Sequence, residues 1–422
     1  MIRIKRHTRR GACRSEASLL CAVLFCLFYF SAATPLSAQI AVRGETVHTM
    51  AGASIHDGVV LIRNGKIERV GSSSSVQIPD GYQTIKARVV TPGLIDAHTV
   101  VGLSGYLNQP HDQMQLERSA AIQPELRAID AYNARERLIE WLRGFGITTI
   151  HTGHGPGSLV SGQTMNVKTV GNNVDEAAIV PTAMIAATLS DAGLVTDAGR
   201  APGTHAKMYA MLRSELLKAQ EYDAKQRNAK EDQKPGRDLR METLLRVVKR
   251  EIPLLVTVHR AHHIISALRL AKEFNIRIVL DGAAESYLVA DQIKAAGVPV
   301  IIHPTMYRAF GETENLSMET ASTLRKAGIP IALQSGFEGY VPKTRVVLFE
   351  AAVAAANGLS FDEALASVTT DAARLLGIGE RVGSLEAGKD ADLALFDGDP
   401  FEYTTHVTGV IINGRVVSEE VR

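Results

Sequence analysis

Short apolar runs alternate with longer amphipathic stretches over most of this 422-residue chain, and this alternation constrains the fold more than any other feature. A short apolar run bounded by turn residues suits a buried strand, and apolar residues recurring every three to four positions suit a helix. Strands and helices that alternate form a parallel sheet, which closes into a barrel after about eight units. Strands are predicted near 89–97, 147–151, 163–168, 179–185, 253–258, 277–281, 298–302 and 329–334. Helices are predicted near 129–144, 204–230, 238–249, 261–275, 285–296, 317–327, 343–357, 361–367 and 370–376.

Segments near both ends of the chain have a different pattern. Residues 58–71 alternate in polarity around Asn64-Gly65, a dipeptide typical of a tight hairpin turn. Residues 383–396 and 410–417 are typical of further strands. Between them, the apolar run 89–100 ends in polar residues that include His98, as a barrel strand does when its carboxyl end faces an active site.

Together these segments resemble the amidohydrolase superfamily, in particular its exported imidazolonepropionase-like branch. The resemblance implies an α/β fold, a (β/α)8 TIM barrel with a small β-sandwich domain built from both chain ends. The corresponding division is a signal peptide at 1–38, half of the sandwich at 39–88, the barrel at 89–380 and the other half of the sandwich at 381–422.

Residues 1–38 have the composition of a cleavable secretion signal. Basic residues precede the apolar run 19–33, and Ser37-Ala38 offers small residues for cleavage. A single membrane anchor is the alternative, although the run is short for a bilayer. Cleavage would place the protein in the periplasm or outside the cell and would remove all three cysteines, Cys13, Cys21 and Cys26.

The charge balance excludes two classes of partner. The formal net charge of +1 becomes negative once the basic leader is removed, and a weakly acidic protein suits neither nucleic acid nor an anionic membrane. We therefore expect a small-molecule, amide-like substrate as the partner. The resemblance also implies a homodimer or pairing with a related amidohydrolase.

The resemblance implies three metal-binding residues. His98 ends the first barrel strand, Lys168 matches a position that can be carbamylated, and His259 matches the histidine of the fifth strand. They would hold zinc or another divalent cation, with one or none expected rather than two. Other expected ligands are missing: Val100, Gly282 and either Gln334 or Ser335 occupy the positions of two histidines and of an aspartate that acts as the base.

Other residues near predicted strand ends are candidates to complete the site. Glu285 or His303 would replace the missing base, and Arg260 and Gln163 would bind substrate. His151 and His154 are further imidazoles that could rebuild a metal site, although a histidine in a polar cleft often serves only as a hydrogen-bonding residue.

Two functions remain open at this point. One is hydrolysis of an amide or cyclic amide C–N bond by metal-activated water, in a site that has been depleted or rebuilt. The alternative is a catalytically silent member of the superfamily that acts as a binding or partner subunit.

Overall fold

The computed structural model describes residues 39–107, 109–195, 197, 200–336 and 346–422. The signal peptide predicted at 1–38, with its three cysteines, lies outside the described residues. No helix in the described ranges is long and apolar enough to cross a membrane.

The strands of the described residues are mostly short. They are β1 (Ile40–Val47), β2 (Ile55–Arg63), β3 (Lys66–Ser72), β4 (Gln83–Pro92), β5 (Leu94–Thr99), β6 (Ile147–Thr152), β7 (Val160–Gln163), β8 (Met165–Lys168), β9 (Ala178–Val180), β10 (Ile185–Thr188), β11 (Leu254–Val258), β12 (Ile278–Gly282), β13 (Val300–Ile302), β14 (Ile331–Leu333), β15 (Leu393–Phe396), β16 (Val407–Ile412) and β17 (Arg415–Ser418).

The α-helices of the same residues fall mainly between strands. They are α1 (Arg137–Gly144), α2 (Val174–Ala177), α3 (His205–Asn228), α4 (Leu239–Val248), α5 (Ala261–Phe274), α6 (Ala290–Ala296), α7 (Thr320–Lys326), α8 (Val347–Ala356), α9 (Phe361–Ser367) and α10 (Thr370–Leu375).

Strands from both ends of the described chain form one sheet. Its order is β17-β16-β15-β4-β1-β2-β3, so β4 joins the first strands to the last three. The predicted boundary at residue 88 falls inside β4, which pairs with β15 as far as Pro92. The run predicted as one barrel strand over 89–97 is therefore divided between β4 and β5. Gly93 lies at the division, where a Cβ atom would come within 2.3 Å of the Thr148 side chain.

The central strands have the parallel order of an α/β fold. The strands β10, β11, β12, β13 and β14 pair in sequence order and in parallel, and β5 pairs in parallel with β6. Thr99, at the end of β5, also pairs in parallel with Gly336, which follows β14.

The segment near 163–168 departs from the predicted parallel barrel. It was predicted as one strand, but it forms β7 and β8, which belong to different sheets. The strand β7 is antiparallel to β10, and β8 is antiparallel to β6. This reversal determines where Lys168 lies.

Candidate active site

A polar layer lies directly above an apolar layer at the carboxyl ends of the parallel strands. Leu255, Val279, Ile301 and Ala332, one from each of four successive strands, belong to one buried apolar cluster. Because side chains alternate along a strand, the residue two positions later faces the same side. Those residues are Thr257, Asp281, His303 and Gln334, and they line a cavity of about 40 Å³ together with His98 and His259.

A buried histidine–aspartate pair is the centre of this layer. His98 Nδ1 donates to Asp281 Oδ1 at 2.9 Å. Asp281 also accepts hydrogen bonds from Thr257 Oγ1 at 2.6 Å and from Gln334 Nε2 at 2.8 Å. His98 Nε2 is buried and has no hydrogen-bond partner among the residues that the structure describes. The imidazole is thus held from one side while its second nitrogen stays available.

The charges of this pair support each other. Burial lowers the pKa of His98, but the charge of Asp281 and the hydrogen bond to it outweigh burial and raise that pKa above its ordinary value. Burial raises the pKa of Asp281, yet His98 and the other donors together lower it to about 2. Asp281 is therefore ionised at neutral pH and stabilises a proton on His98.

An irregularity in β5 accompanies the position of His98. Ile95 and Ala97 belong to the apolar layer, so simple alternation would turn His98 away from it. The pairing of β5 with β6 shifts register between Asp96 and Thr99, and such a bulge re-aims side chains. Asp96, whose pKa burial raises to about 7, accepts from the backbone N–H groups of His98 and Ser335 and fixes this turn of the chain.

His259 and His303 complete the imidazole lining of the cavity. Burial lowers the pKa of His259 to about 4, so its ring is neutral at neutral pH. Its Nδ1 is inaccessible to solvent and lacks a partner within the described part of the chain. His303 donates from Nδ1 to the carbonyl of Pro304 at 2.8 Å, and its Nε2 lies 3.4 Å from Thr320 Oγ1. Of these two rings, His259 is the freer to contact a ligand.

The cavity does not fit a hydrolytic metal held by three protein ligands. It offers two unpartnered imidazole nitrogens, from His98 and His259, whereas the oxygens of Asp281 are engaged by neighbouring donors. Among the described residues, no three His, Cys, Asp or Glu ligand atoms lie near one another in this cavity. Catalytic zinc sites use three protein ligands. The side chains of the cavity are therefore the groups available to act on a substrate.

At Gly282, where the resemblance places a histidine ligand on the sixth strand, the structure leaves no room for a side chain. A Cβ atom at this position would lie 2.6 Å from Cε1 of His259, and the glycine has a φ of +76°. A side chain would therefore collide with the imidazole and also suffer backbone strain. The ring of His259 occupies the space that a histidine at this position would need.

Lys168 does not join His98 and His259, and its predicted place as a carbamylated metal ligand is corrected by the structure. Because β8 is antiparallel to β6, Lys168 pairs with Thr149 rather than with Thr152 at the carboxyl end of β6. Its ammonium lies 2.7 Å from Asp390 and 2.9 Å from Asp392 and also donates to Asn413. Lys168 thus links β8 to the carboxyl-terminal part of the chain.

Glu285 is also corrected, since it does not line the cavity as a replacement base would. Its Oε2 accepts from the backbone N–H of Ala261 at 2.7 Å, and its Oε1 accepts from Asn315 at 2.9 Å. Burial raises the pKa of Glu285, but these donors and nearby Arg260 outweigh burial and lower it. The carboxylate satisfies the amino terminus of α5, where a negative charge is stabilising.

Replacing Glu285 by glutamine should separate these two roles. We expect unfolding to become easier by about 1–2 kcal/mol, because a charged hydrogen bond to a helix terminus becomes a neutral one. Activity should stay within about twofold, because the residue lies outside the cavity. Urea unfolding and steady-state rates measure both quantities, and a large loss of rate at unchanged stability would restore Glu285 as the base.

The two predicted substrate-binding residues are likewise placed elsewhere. Arg260 donates to Glu314 at 3.1 Å and to the carbonyl of Gly311 at 3.1 Å, so it joins two loops. Gln163 pairs with Ile185 at the start of β10, away from the carboxyl ends of the strands, and donates to the carbonyl of Pro124. Neither lines the cavity around His98, and both positions are structural.

His151 and His154, the further imidazoles that could rebuild a metal site, also have local environments that the sequence did not reveal. His151 contacts the carbonyl of Ala97 at 2.8 Å and Thr164 Oγ1 at 2.6 Å, so both of its ring nitrogens are engaged. His154 packs against Gly162, where a Cβ atom would lie 2.7 Å from the ring. Neither residue lines the cavity.

Asp281 is a cavity-lining carboxylate that sequence reasoning missed. The expected ligand position was Gly282, so the carboxylate one residue earlier received no role. An acidic residue at the end of an otherwise apolar strand was the available signal, since a buried carboxylate needs a partner. The carboxylate expected on the eighth strand is present in this layer, but it comes from the sixth.

Known proteins resemble this chain in sequence and in structure. The profile of the amidohydrolase family matches residues 272–418. An amidohydrolase from Thermotoga maritima has a similar structure, with a TM-score of 0.84 and 27% identity over 90% of this chain and all of that one. The chain belongs to the amidohydrolase superfamily. These proteins are hydrolases of carbon–nitrogen bonds, contain a TIM barrel and typically bind divalent metals.

Curated relatives within this superfamily cover nearly the same length. Imidazolonepropionase from Rhizobium rhizogenes is 25% identical over 384 residues, which is 85% of this chain and 91% of that protein. The enzyme of the same name from Rhizorhabdus wittichii is 27% identical over 388 residues, covering 84% and 92%. A prolidase complexed with N-methylphosphonate-L-proline shares the fold alone, with a TM-score of 0.58 and 16% identity over 91% of this chain and all of that one.

Proposed function

We propose that this amidohydrolase hydrolyses a C–N bond in a small cyclic or otherwise activated amide, with His98 as the general base. The buried His98–Asp281 pair, with Nε2 of His98 unpartnered among the described residues, is the observation that supports this most directly. A carboxylate that holds Nδ1–H fixes the tautomer in which Nε2 accepts a proton. The imidazolonepropionase relatives, whose name indicates a ring substrate, favour a cyclic amide.

The reaction follows from this geometry. A water molecule hydrogen-bonded to His98 Nε2 transfers a proton to that nitrogen while its oxygen bonds to the carbonyl carbon. Asp281 stabilises the resulting imidazolium, and neutral His259 donates to the oxygen that gains negative charge. The C–N bond then breaks, and His98 returns the proton to the leaving nitrogen. Carboxylic acid and amine are the products, so water and substrate balance the reaction.

The size of the cavity limits what enters it. At about 40 Å³ it has room for roughly three water molecules, judged by the space that one buried water needs. The reacting carbonyl and its water fit within this volume, while the rest of a substrate stays nearer the mouth.

A substrate panel tests the proposal. Imidazolonepropionate, hydantoin and dihydrouracil represent ring amides, and proline dipeptides represent linear ones. We expect turnover of at least one ring amide and slower turnover of the dipeptides. Folded protein without turnover on any of these compounds would contradict the proposal and support the catalytically silent alternative.

The pH dependence of the reaction should follow the protonation of His98. The imidazole acts as a base only when neutral, and its pKa is raised above the ordinary 6.5. The value of kcat/KM should therefore fall tenfold per pH unit below a midpoint that lies above 6.5. Asp281, with a pKa of about 2, stays ionised, and His151 and His259, with pKa values of about 3 and 4, stay neutral.

Asp96 is the neighbouring group that titrates in the same range, because burial raises its pKa to about 7. The Asp96→Asn variant should retain the acidic limb of the pH profile. The Asp281→Asn variant should shift the limb to lower pH, because the charge that raises the pKa of His98 is gone. A limb that disappears with Asp96→Asn would assign the titration to Asp96 and contradict this role of His98.

Export is a second part of the proposal. It rests on the basic and apolar leader at 1–38 and its small residues at 37–38. Amino-terminal sequencing of the protein recovered from a bacterial periplasm should begin close to Gln39. An intact amino terminus on cytoplasmic protein would contradict export and leave the proposed chemistry unaffected.

A further inference from the structure

A second group of metal-ligand residues lies outside the cavity around His98. His205 is the first residue of α3, His263 lies in the first turn of α5, and Glu312 lies in the segment after β13. One ligand atom from each of the three lies within 4.8 Å of the others. The group therefore joins three segments that are distant in sequence.

Each residue in this group has an unused ligand atom. His205 Nδ1, His263 Nδ1 and Glu312 Oε1 are buried and have no hydrogen-bond partner among the described residues. Unpartnered buried polar atoms are uncommon because burial removes their water without replacing it. Because the three residues also lie close together, these atoms point to a ligand that accepts electron pairs.

Asp191 holds the second atom of two of these residues. His205 Nε2 donates to Asp191 Oδ1 at 2.8 Å, and the backbone N–H of Asp191 donates to Glu312 Oε2 at 2.6 Å. A carboxylate on the far nitrogen of an imidazole is the usual support of a metal-bound histidine. Asp191 thus orients His205 and Glu312 so that Nδ1 and Oε1 remain for a cation.

The histidine rings are packed so that little rotation remains. His205 and His263 stack with ring centroids 3.6 Å apart, and His263 is only 9% exposed. Burial raises the pKa of Glu312 to about 7, and a bound cation would favour its ionised form. Packing thus restricts the two imidazole rings before any cation binds.

We propose that His205, His263 and Glu312 bind one divalent cation, with zinc the best match. Two imidazole nitrogens and one carboxylate oxygen are a zinc ligand set, and water would complete the tetrahedron. The cation links α3, α5 and the segment after β13 on the side where the chain leaves the parallel strands. This proposal is independent of the proposed hydrolysis, because it uses none of the residues around His98.

Zinc titration of the purified protein, produced without a histidine tag, tests this site. We expect one zinc per chain by calorimetry and by elemental analysis after dialysis, and a thermal midpoint that rises when zinc is added. Glu312→Gln and His263→Ala should each weaken binding at least about tenfold and abolish the rise in midpoint. Glu312→Gln preserves shape, so it remains informative where His263→Ala lowers stability.

His56→Ala is the control, because His56 is an exposed histidine of β2 that belongs to neither the cavity nor this group. It should leave the stoichiometry and affinity for zinc unchanged. His98→Gln should also retain zinc binding, even where it abolishes hydrolysis. Absence of stoichiometric binding, equal binding in all variants, or a loss confined to His98→Gln would each overturn the proposal.

Discussion

Replacing His98 by glutamine should lower kcat/KM for amide hydrolysis by a factor of about 10²–10⁴, the usual contribution of a general base. Glutamine fills similar space and can still donate to Asp281, but its amide cannot take a proton from water at neutral pH. The loss should appear mainly in kcat, because proton transfer belongs to the transition state. Steady-state kinetics on the best ring amide of the panel measures this.

Two further variants test whether the loss of kcat/KM reflects the role of His98 as a base. Asp281→Asn should lower the rate as well, since the imidazolium loses its counter-charge. His262→Ala, which alters an exposed imidazole outside the cavity, should keep the wild-type rate. A folded His98→Gln protein with full activity would remove His98 from the mechanism.

Replacing Lys168 by methionine should destabilise the protein by about 3–5 kcal/mol, the cost of breaking a buried ion pair from one side. Lys168 is 3% exposed, and Asp390 and Asp392 are each 4% exposed. Methionine keeps the apolar stem but leaves both carboxylates without the ammonium between them. Urea unfolding monitored by fluorescence and circular dichroism gives the free energy of unfolding.

Lys66 supplies the matched control for this prediction. Its ammonium also contacts Asp390, at 2.6 Å, but its side chain is 51% exposed. An exposed pair contributes about 0–1 kcal/mol, so Lys66→Met should have a much smaller effect. Adding Asp390→Asn and Asp392→Asn to Lys168→Met should restore part of the stability. Unchanged stability together with lost metal binding in Lys168→Met would instead support the carbamate role.

The expectation that residues at the ends of parallel strands lie close together holds for three histidines. His98, His259 and His303 line one cavity because parallel strands deliver their carboxyl ends to the same side of the sheet. Their proposed roles stay predictions, since position alone does not assign chemistry. Val100 and Gly282 are recognised as departures from a metal site. Two buried imidazole nitrogens in the cavity, from His98 and His259, have no hydrogen-bond partner among the described residues.

The errors had physical causes that lie outside the local sequence. Lys168 follows an apolar run like the other strands, but the chain direction of β8 is reversed, and this depends on pairing with β6. Glu285 directly follows β12 as a catalytic residue would, yet it meets the amino terminus of α5 in space. The convergence of His205, His263 and Glu312 also could not be predicted, because the three residues lie on separate segments.

The sequence by itself determined the alternation of strands and helices, the pairing potential of the two chain ends and the superfamily. These features depend on local periodicity and on turn residues, which act over a few positions. Only the tertiary structure decided that Asp281 supports His98 and that Lys168 forms ion pairs with Asp390 and Asp392. Those contacts join residues about 180 and more than 220 positions apart, and they exist because the folded chain must pair the charges that it buries.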